Sequence, residues 1–299
     1  MNDTNKQPNY NIYFDRDNIK DALVCMNEYG YCVIRKMIGL KLVEELKYSI
    51  DEIMDPARDL PQASNRYHVQ FAEESKPLWK LMNHAPYLNY LSQVHQTNNL
   101  CLHRSAAILR TAGESCGTWH TDWRGHIKEP RTPNDILNRY SLPSGNWFYL
   151  NGSHPDYSGI AVIEKSHIKD WKGPEGFEFN PNKTSFHPTG DFIENGYKKM
   201  DVPGCIEVIA DPGDLICFAP LTWHTNMATE ERRYSCGIGF RPKSIKIKAP
   251  WPLPITAQRM IERLPKHLKS YANGYTGIDV QWRANPRIAL PKNGKNDTF

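Results

Sequence analysis

Long apolar runs are missing from this sequence, and so are paired cysteines and a strong charge of either sign. No stretch approaches the roughly 20 apolar residues that span a bilayer, and the polar start MNDTNKQPNYN does not read as a signal peptide. The seven cysteines form no CxxC pair and are odd in number, which indicates reduced thiols in a reducing compartment. The formal net charge of +4 gives no case for nucleic acid binding. We therefore expect a cytoplasmic protein that has neither a membrane nor a nucleic acid as its partner.

Helical patterns occur near the start of the chain. NIKDALVCMNEYG has apolar residues at helical spacing and ends at Gly30, a residue typical of helix C-termini. YCVIR then has the composition of a short strand. KLVEELKYSIDEIM predicts a second helix with a single apolar stripe, formed by Leu42, Leu46, Ile50 and Ile53. The region from 55 to 97 is mixed and predicts helix and loop.

After residue 100 the pattern changes to short apolar segments separated by Gly, Pro, Asn and Asp. The expected strands are SAAILR, NWFYLN, GIAVIE, CIEVIA, DLICFA and RYSCGIGF. CIEVIADPGDLICFA predicts two strands joined by a Pro-Gly turn, which is a hairpin signal. Helices followed by many short strands predict a mainly β fold with flanking helices, a β-sandwich or barrel braced by the N-terminal helices.

A single domain accounts for this order of elements. We see no internal repeat and no low-complexity tract that would divide the 299 residues. The expected parts are a helical N-terminal support (1–99), a β core (100–242) that includes a polar excursion (171–202) over one mouth of the barrel, and a C-terminal extension (243–299). The extension is basic and proline-rich, with one expected helix from about Thr256 to Leu264.

The segment TWHTDWRGH concentrates residues that bind metals. In a strand, residues two apart point to the same face, so His120 and Asp122 at a strand end would project together. His224, in DPGDLICFAPLTWHTN, also follows an expected strand and is the best candidate for a third ligand. Imidazole and carboxylate together suit Fe(II), Mn or Zn, and two histidines with one carboxylate, which leave about three positions open, are typical of non-haem iron oxygenases. H-x-D alone is a weak signal, and a surface occurrence in a polar loop is the alternative.

Four motifs in order strengthen the metal hypothesis. NEYGYCVIRKMIGLKLVEELKYSIDEI, GTWHTD, SGIAVIEKSHIKD and DPGDLICFAPLTWHTN resemble the phytanoyl-CoA dioxygenase-like family of Fe(II)- and 2-oxoglutarate-dependent oxygenases, from about Leu23 to Phe240. The resemblance implies a double-stranded β-helix, or jelly-roll, core and iron ligands at His120, Asp122 and His224. Two positions depart from the family pattern: Lys165 replaces a glycine, and Asn226 replaces a serine that contacts the cosubstrate.

The resemblance also implies the reaction. Fe(II), 2-oxoglutarate and O2 would oxidise an unactivated C–H bond of a small-molecule substrate, with release of succinate and CO2. A carboxylate at Asp122 argues for hydroxylation or another oxidation such as desaturation or ring formation, because related halogenases have a small residue there. The substrate and the oligomeric state are not indicated by any feature of the sequence.

An arginine after the distal histidine is expected to hold the far carboxylate of 2-oxoglutarate, and strand parity separates the two candidates. In RRYSCGIGF the bulky residues alternate with small ones, and the bulky face belongs against the helices. Arg233 shares the small, inward face with Ser235 and Gly237, whereas Arg232 is expected to be solvated. Arg233 can then form a bidentate pair with a carboxylate. Arg110, on an earlier strand, is a second inward-facing candidate.

Aromatic and cationic side chains next to the metal motifs are candidates for substrate contacts. They are Trp123, Arg124, His126 and Trp223, although packing against a ligand is an equal alternative for the tryptophans. WRGHIKEPRTPNDILNRY is expected to form a loop over the opening of the site. Other interpretations remain: a jelly-roll metalloenzyme that does not use 2-oxoglutarate, a non-catalytic binding protein on the same fold, and a hydroxylase of a protein partner.

Overall fold

The computed structural model describes residues 6–123, 128–140, 144–181, 183–194 and 198–285. Its strands are β1 (Tyr13–Asp15), β2 (Tyr31–Arg35), β3 (Asn65–Val69), β4 (Leu100–Arg110), β5 (Gly145–Tyr149), β6 (Ile160–Ile163), β7 (Phe177–Phe179), β8 (Phe186–Pro188), β9 (Cys205–Glu207), β10 (Leu215–Phe218), β11 (His224–Asn226) and β12 (Arg233–Pro242). Its α-helices are α1 (Ile19–Tyr29), α2 (Leu40–Met54), α3 (Lys76–Trp79), α4 (Ala85–His95), α5 (Pro133–Asn138), α6 (Asp191–Glu194) and α7 (Ile255–Arg263). Among these residues no helix is both long enough and apolar enough to cross a bilayer.

A seven-stranded sheet forms the centre of the fold, in the order β1-β2-β10-β5-β12-β4-β3. β1 and β2 are parallel, and the other neighbours are antiparallel. A smaller sheet has the order β11-β6-β9, and β7 pairs with β8. The hydrogen-bonded order of the large sheet is open, with β1 and β3 at its edges. The expected fold class, mainly β with flanking helices, is confirmed, and all six expected strand segments form strands.

Helices cover one face of the large sheet. α1 packs on β2, α2 on β4, and α4 on β12. α2 buries Leu46 and Ile50 of its predicted stripe, whereas Leu42 and Ile53 remain partly exposed. α1 ends at Tyr29 and is capped by Gly30. The φ of Gly30 is 94°, in the left-handed region, which glycine adopts at lower cost than other residues. The bulky residues of β12 lie in this core, as parity predicts: Cys236, Ile238 and Phe240.

The N-terminal part is not only helical, which corrects the expectation for residues 1–99. β1, β2 and β3 all join the large sheet, and only β2 was expected. β3 has the sequence NRYHV and is largely exposed at the sheet edge. An edge strand of this kind buries too little apolar surface to show an alternating pattern, so the sequence predicted helix and loop there.

The predicted hairpin is wrong. β9 pairs with β6 in the small sheet, whereas β10 pairs with β2 and β5 in the large one. The Pro-Gly turn between them is where the chain crosses from one sheet to the other. Gly213 has a φ of 96° and lies so close to another segment that a Cβ would be 2.5 Å from the Ile38 carbonyl oxygen. Turn chemistry is local, so it cannot distinguish a hairpin from a change of sheet.

The excursion 171–202 contains a small aromatic core. β7 and β8 pair within it, and Phe177 and Phe186 are buried against Trp119 and Trp223. These two tryptophans directly precede the histidines of the metal motifs, so the excursion packs next to the candidate centre. The expected helix in the C-terminal extension is present as α7, one residue earlier at each end than predicted.

Candidate metal centre and adjoining cavity

His120 and His224 lie opposite each other on neighbouring backbone segments. The His120 N–H donates to the His224 carbonyl at 3.1 Å, and the His224 N–H donates back to His120 at 3.0 Å. His224 begins β11 of the small sheet, and His120 forms an isolated bridge rather than part of a regular strand. The chain therefore reaches the expected juxtaposition through one bridge between His120, outside any regular strand, and the first residue of β11.

Three ligand atoms converge at this bridge. One atom each of His120, Asp122 and His224 lies within 4.8 Å of the other two. His224 Nε2 is 3.9 Å from Asp122 Oδ2, and the two imidazole rings are 4.4 Å apart between centroids. His224 is buried, His120 is half-buried and Asp122 is exposed, so one side of the cluster is open. This donor set of two imidazoles and one carboxylate fits a divalent transition metal such as Fe(II).

Backbone carbonyls determine which nitrogen each histidine offers. His120 Nδ1 is 2.7 Å from the Thr118 carbonyl oxygen, and His224 Nδ1 is 3.0 Å from that of Thr222. A carbonyl oxygen can only accept, so each Nδ1 carries a proton, and in the neutral ring the lone pair lies on Nε2. This arrangement is typical of histidines that bind metals.

Burial keeps His224 neutral. The pKa of His224 is lowered to about 4, mainly by burial and also by the neighbouring His120, against an opposing effect of Asp122. At neutral pH the His224 imidazole is therefore neutral, and its Nε2 lone pair can bind a metal.

Arg233 is a buried cation, and some of its N–H groups have no hydrogen-bond acceptor among the described residues. Its side chain is 1% exposed, and its guanidinium lies 5.0 Å from the centre of the Tyr149 ring. Nη1 donates to Asn226 Oδ1 at 2.7 Å, but Nε and Nη2 have no hydrogen-bond partner within the described residues. The hydroxyl of Ser235, two residues along the same face, is also buried without one. Buried donors of this kind are rare in native proteins and indicate a missing acceptor, such as a carboxylate.

The pKa of Arg233 is lowered to about 10, mainly by burial and also by the nearby Arg110, against an opposing effect of Tyr149. The guanidinium is still charged at neutral pH. Asn226 accepts a second hydrogen bond from the Tyr149 hydroxyl at 3.2 Å. Its side-chain oxygen therefore orients Arg233.

The other two arginines are engaged by the protein. Arg110 pairs with Arg233 across the β4–β12 ladder and is equally buried. It donates from Nη1 to the Met227 carbonyl at 2.9 Å and from Nη2 to the Ser115 carbonyl, and lies 3.3 Å from Glu114. These contacts use acceptors of the protein, so Arg110 has less to offer a ligand than Arg233.

Arg232 lies on the opposite face and is not simply solvated, which corrects that expectation. Its Nη2 is 2.6 Å from Asp51 Oδ1 and 2.6 Å from Asp55 Oδ2, both at the end of α2. Its Nε donates to the Tyr234 hydroxyl at 2.8 Å. Arg232 thus ties β12 to the helical layer.

The candidate substrate residues are distributed unevenly. Trp123 is half-buried next to Asp122, whereas Arg124 and His126 lie outside the described residues. Trp223 is buried 5.1 Å from Phe186 between ring centroids and packs in the aromatic cluster of the excursion. This is the packing alternative of the two expected for Trp223, and a contact with substrate stays a prediction.

A cavity of about 150 Å³ opens beside Asp122. Its lining comes from the inward face of the large sheet and from α5: among others Tyr67, Arg104, Ala106, Trp147, Gly237 and Gly239. Sequence reasoning missed Arg104, Tyr67 and Trp147. The alternation along β12 that places Arg233 inward also places Gly237 and Gly239 inward. That Ala106 and Arg104 face the same cavity can be inferred only once their pairing with Gly237 and Gly239 is known.

Lys165 stands where the resembled family has a glycine. Its φ of 58° lies in the left-handed region, so the turn keeps the conformation that a glycine would supply. The Lys165 ammonium lies 5.1 Å from the centre of the Tyr29 ring. Lysine therefore adopts here a backbone conformation that favours glycine.

The fold is that of solved non-haem 2-oxoglutarate-dependent enzymes, which have a jelly-roll core. HygX from Streptomyces hygroscopicus, solved with nickel and 2-oxoglutarate bound, has a TM-score of 0.54 and 16% identity, over 77% of this chain and 89% of that one. The epimerase SnoN, in complex with Fe3+, alpha ketoglutarate and nogalamycin RO, has a TM-score of 0.56 and 13% identity, over 91% and 96%.

The alpha ketoglutarate dependent carbocyclase SnoK from nogalamycin biosynthesis has a TM-score of 0.52 and 14% identity, over 76% of this chain and 85% of that one. At these identities the likeness establishes the fold. No family model matches the chain, and no curated protein matches it.

Proposed function

We propose that this protein is an Fe(II)- and 2-oxoglutarate-dependent dioxygenase that hydroxylates an unactivated C–H bond of a small molecule. The observation that carries the proposal is the convergence of one ligand atom each of His120, Asp122 and His224 within 4.8 Å, with Nδ1 of both histidines engaged by backbone carbonyls. The neighbours HygX, SnoK and SnoN support it, because they share the fold and are described with iron, nickel or 2-oxoglutarate.

The residues of the site have separate parts in this proposal. His120, Asp122 and His224 hold the iron and leave positions open for cosubstrate and O2. Arg233 forms a bidentate pair with the far carboxylate of 2-oxoglutarate, and Asn226 keeps the guanidinium in place. When bound, iron and 2-oxoglutarate supply the oxidation, in which 2-oxoglutarate and O2 give succinate, CO2 and an oxidised substrate. Trp119 and Trp223, which directly precede the two histidines, are anchored in the buried aromatic cluster and so help to fix the backbone at His120 and His224.

A small molecule is the proposed partner, bound in the cavity beside Asp122. HygX has been solved with hygromycin B bound and SnoN with nogalamycin RO, so this fold accommodates small-molecule ligands. The carboxylate at Asp122 favours hydroxylation over halogenation. The proposal includes membership of the phytanoyl-CoA dioxygenase-like family, a single oxygenase domain over 1–299 and a cytoplasmic location.

Iron content and succinate formation test the proposal together. Asp122→Ala should lose both tightly bound Fe(II) and 2-oxoglutarate-dependent succinate release, even in the uncoupled reaction without substrate. Asp156→Ala, which removes a carboxylate whose side chain is 83% exposed, is the matched control and should retain both. Wild-type iron content and turnover in Asp122→Ala would remove Asp122 from the site and contradict the proposal.

A further inference from the structure

The cavity beside Asp122 contains a positive charge that the proposed chemistry does not use. Arg104 lies on β4 and lines the cavity together with Asp122. It is half-buried, and its register partner on β12 is Gly239. A cation at this position faces the space in which a substrate would lie.

Neutral groups hold the Arg104 guanidinium. Nη1 donates to Asn138 Oδ1, and Nη2 donates to Asn134 Oδ1 at 3.4 Å. Both asparagines lie on α5, four residues apart and therefore on one helix face. Asp135 of the same helix accepts from the backbone N–H groups of Thr132 and Arg131, so its carboxylate is used as a helix cap. The amide oxygens orient the guanidinium, and among the described residues no carboxylate forms an ion pair with it.

Small residues keep the space in front of Arg104 open. Gly239 and Ala106 form the inward face of the sheet here, next to Gly237, where a Cβ would be 2.5 Å from the Asn146 carbonyl oxygen. A Cβ added at Gly239 would meet only the Arg104 carbonyl oxygen, at 3.7 Å. The walls of the same cavity carry the aromatic rings of Tyr67 and Trp147. Aromatic lining of this kind suits a substrate with a flat, apolar body, with a charged group directed at the guanidinium.

We propose that Arg104 binds an anionic group, of carboxylate or phosphate type, on a small substrate that has a flat ring as its body. The anion pairs with the two terminal nitrogens of the guanidinium, and the rest of the molecule extends past Gly239 and Ala106 toward Asp122. This inference rests on the proposed function, because it names the substrate class for that same site.

Calorimetric titration with simple probes tests the proposal. Benzoate and phenyl phosphate are compared with neutral benzamide on the full-length, iron-loaded protein without oxygen, with 2-oxoglutarate saturating so that the probes cannot enter the Arg233 pocket. At least one anion should bind about ten- to a hundredfold more tightly than benzamide, the value of charge-assisted hydrogen bonds. The tighter of the two anions identifies whether the natural group is a carboxylate or a phosphate.

Four variants test whether Arg104 causes the preference for an anion. Arg104→Gln should abolish it, and Arg104→Lys should restore it in part, because lysine keeps the charge but not the fork. Arg66→Gln is the matched control: it removes the same charge from an exposed residue of β3 and should leave the preference unchanged. Gly239→Val should weaken all three probes by filling the cavity.

The proposal is overturned if neither anion binds wild-type protein better than benzamide. It is also overturned if Arg104→Gln keeps the preference for an anion. The same holds if Arg66→Gln loses that preference equally, since the overall positive charge of the protein, and not Arg104, would then attract the anions. The affinity for 2-oxoglutarate is measured on the same samples. An Arg104-dependent preference in a protein that does not bind 2-oxoglutarate would support the anion site and refute the proposed function.

Discussion

Replacing Arg233 with methionine should separate ligand binding from folding. The guanidinium is 1% exposed and leaves Nε and Nη2 without partners among the described residues. If 2-oxoglutarate supplies the missing acceptors, the variant leaves its carboxylate buried and unpaired, at a cost of about 3–5 kcal/mol. At tenfold per about 1.4 kcal/mol, the dissociation constant of 2-oxoglutarate should rise by about two to three orders of magnitude.

The same change should not destabilise the free protein. Methionine removes a buried charge and fills much of its volume, a type of replacement that is often neutral or stabilising by about 1–4 kcal/mol. Arg232→Met is the matched control. It breaks contacts with Asp51 and Asp55 and should lower the free energy of unfolding by about 1–2 kcal/mol, with no effect on 2-oxoglutarate binding beyond about twofold.

Two measurements on both variants decide the outcome: 2-oxoglutarate affinity of the iron-loaded protein without oxygen, and urea unfolding of the metal-free protein. The reasoning is refuted if Arg233→Met binds 2-oxoglutarate normally but unfolds several kcal/mol more easily, because Arg233 would then be structural. If neither arginine affects binding, Arg110 is the next candidate, or 2-oxoglutarate is not the cosubstrate.

Three further predictions concern the fold. Burial alone would raise the pKa of Asp55, but hydrogen bonds from Arg232 and the backbone outweigh it and lower that pKa. The Arg232–Asp55 contribution to stability is therefore fully present above about pH 4, the unfolded value, and is lost as the pH falls through the lower folded pKa. In acid unfolding Arg232→Met should show a smaller loss of stability below pH 4 than wild type, and parallel curves would contradict this. All seven cysteines should react with a thiol reagent after denaturation without reductant, but only the half-exposed Cys116 before it; a missing thiol would indicate a disulfide. Gly213→Ala should lower the free energy of unfolding by at least about 1–2 kcal/mol, because it combines a left-handed φ with a Cβ 2.5 Å from Ile38 oxygen; an unchanged urea midpoint would show that the turn relaxes freely.

The features predicted from sequence are those with a local period or a local motif. The two-residue period of β12 separated Arg233 from Arg232, since it depends only on alternation along one strand. The spacing of His120 and Asp122, with His224 as a distal partner, named three side chains that converge. Their role as iron ligands stays a prediction.

The features that were missed depend on pairing between distant segments. Nothing local in β3 or in the turn at Gly213 reveals which sheet a strand joins. Arg104 faces the cavity because β4 pairs with β12 in one register, in which it lies opposite Gly239. The sequence shows neither this register nor the asparagines of α5 that hold the guanidinium.

The most direct test of the account is the visible absorption of the Fe(II) protein when 2-oxoglutarate is added without oxygen. A 2-oxo acid that chelates Fe(II) through its carboxylate and keto oxygen produces a charge-transfer band, which requires open positions next to the three protein ligands. We predict that the band appears in wild-type protein, is absent in Asp122→Ala and His224→Ala, and needs far more 2-oxoglutarate in Arg233→Met. Wild-type protein that binds Fe(II) but never develops the band, or a band of full intensity in Asp122→Ala, would contradict the account.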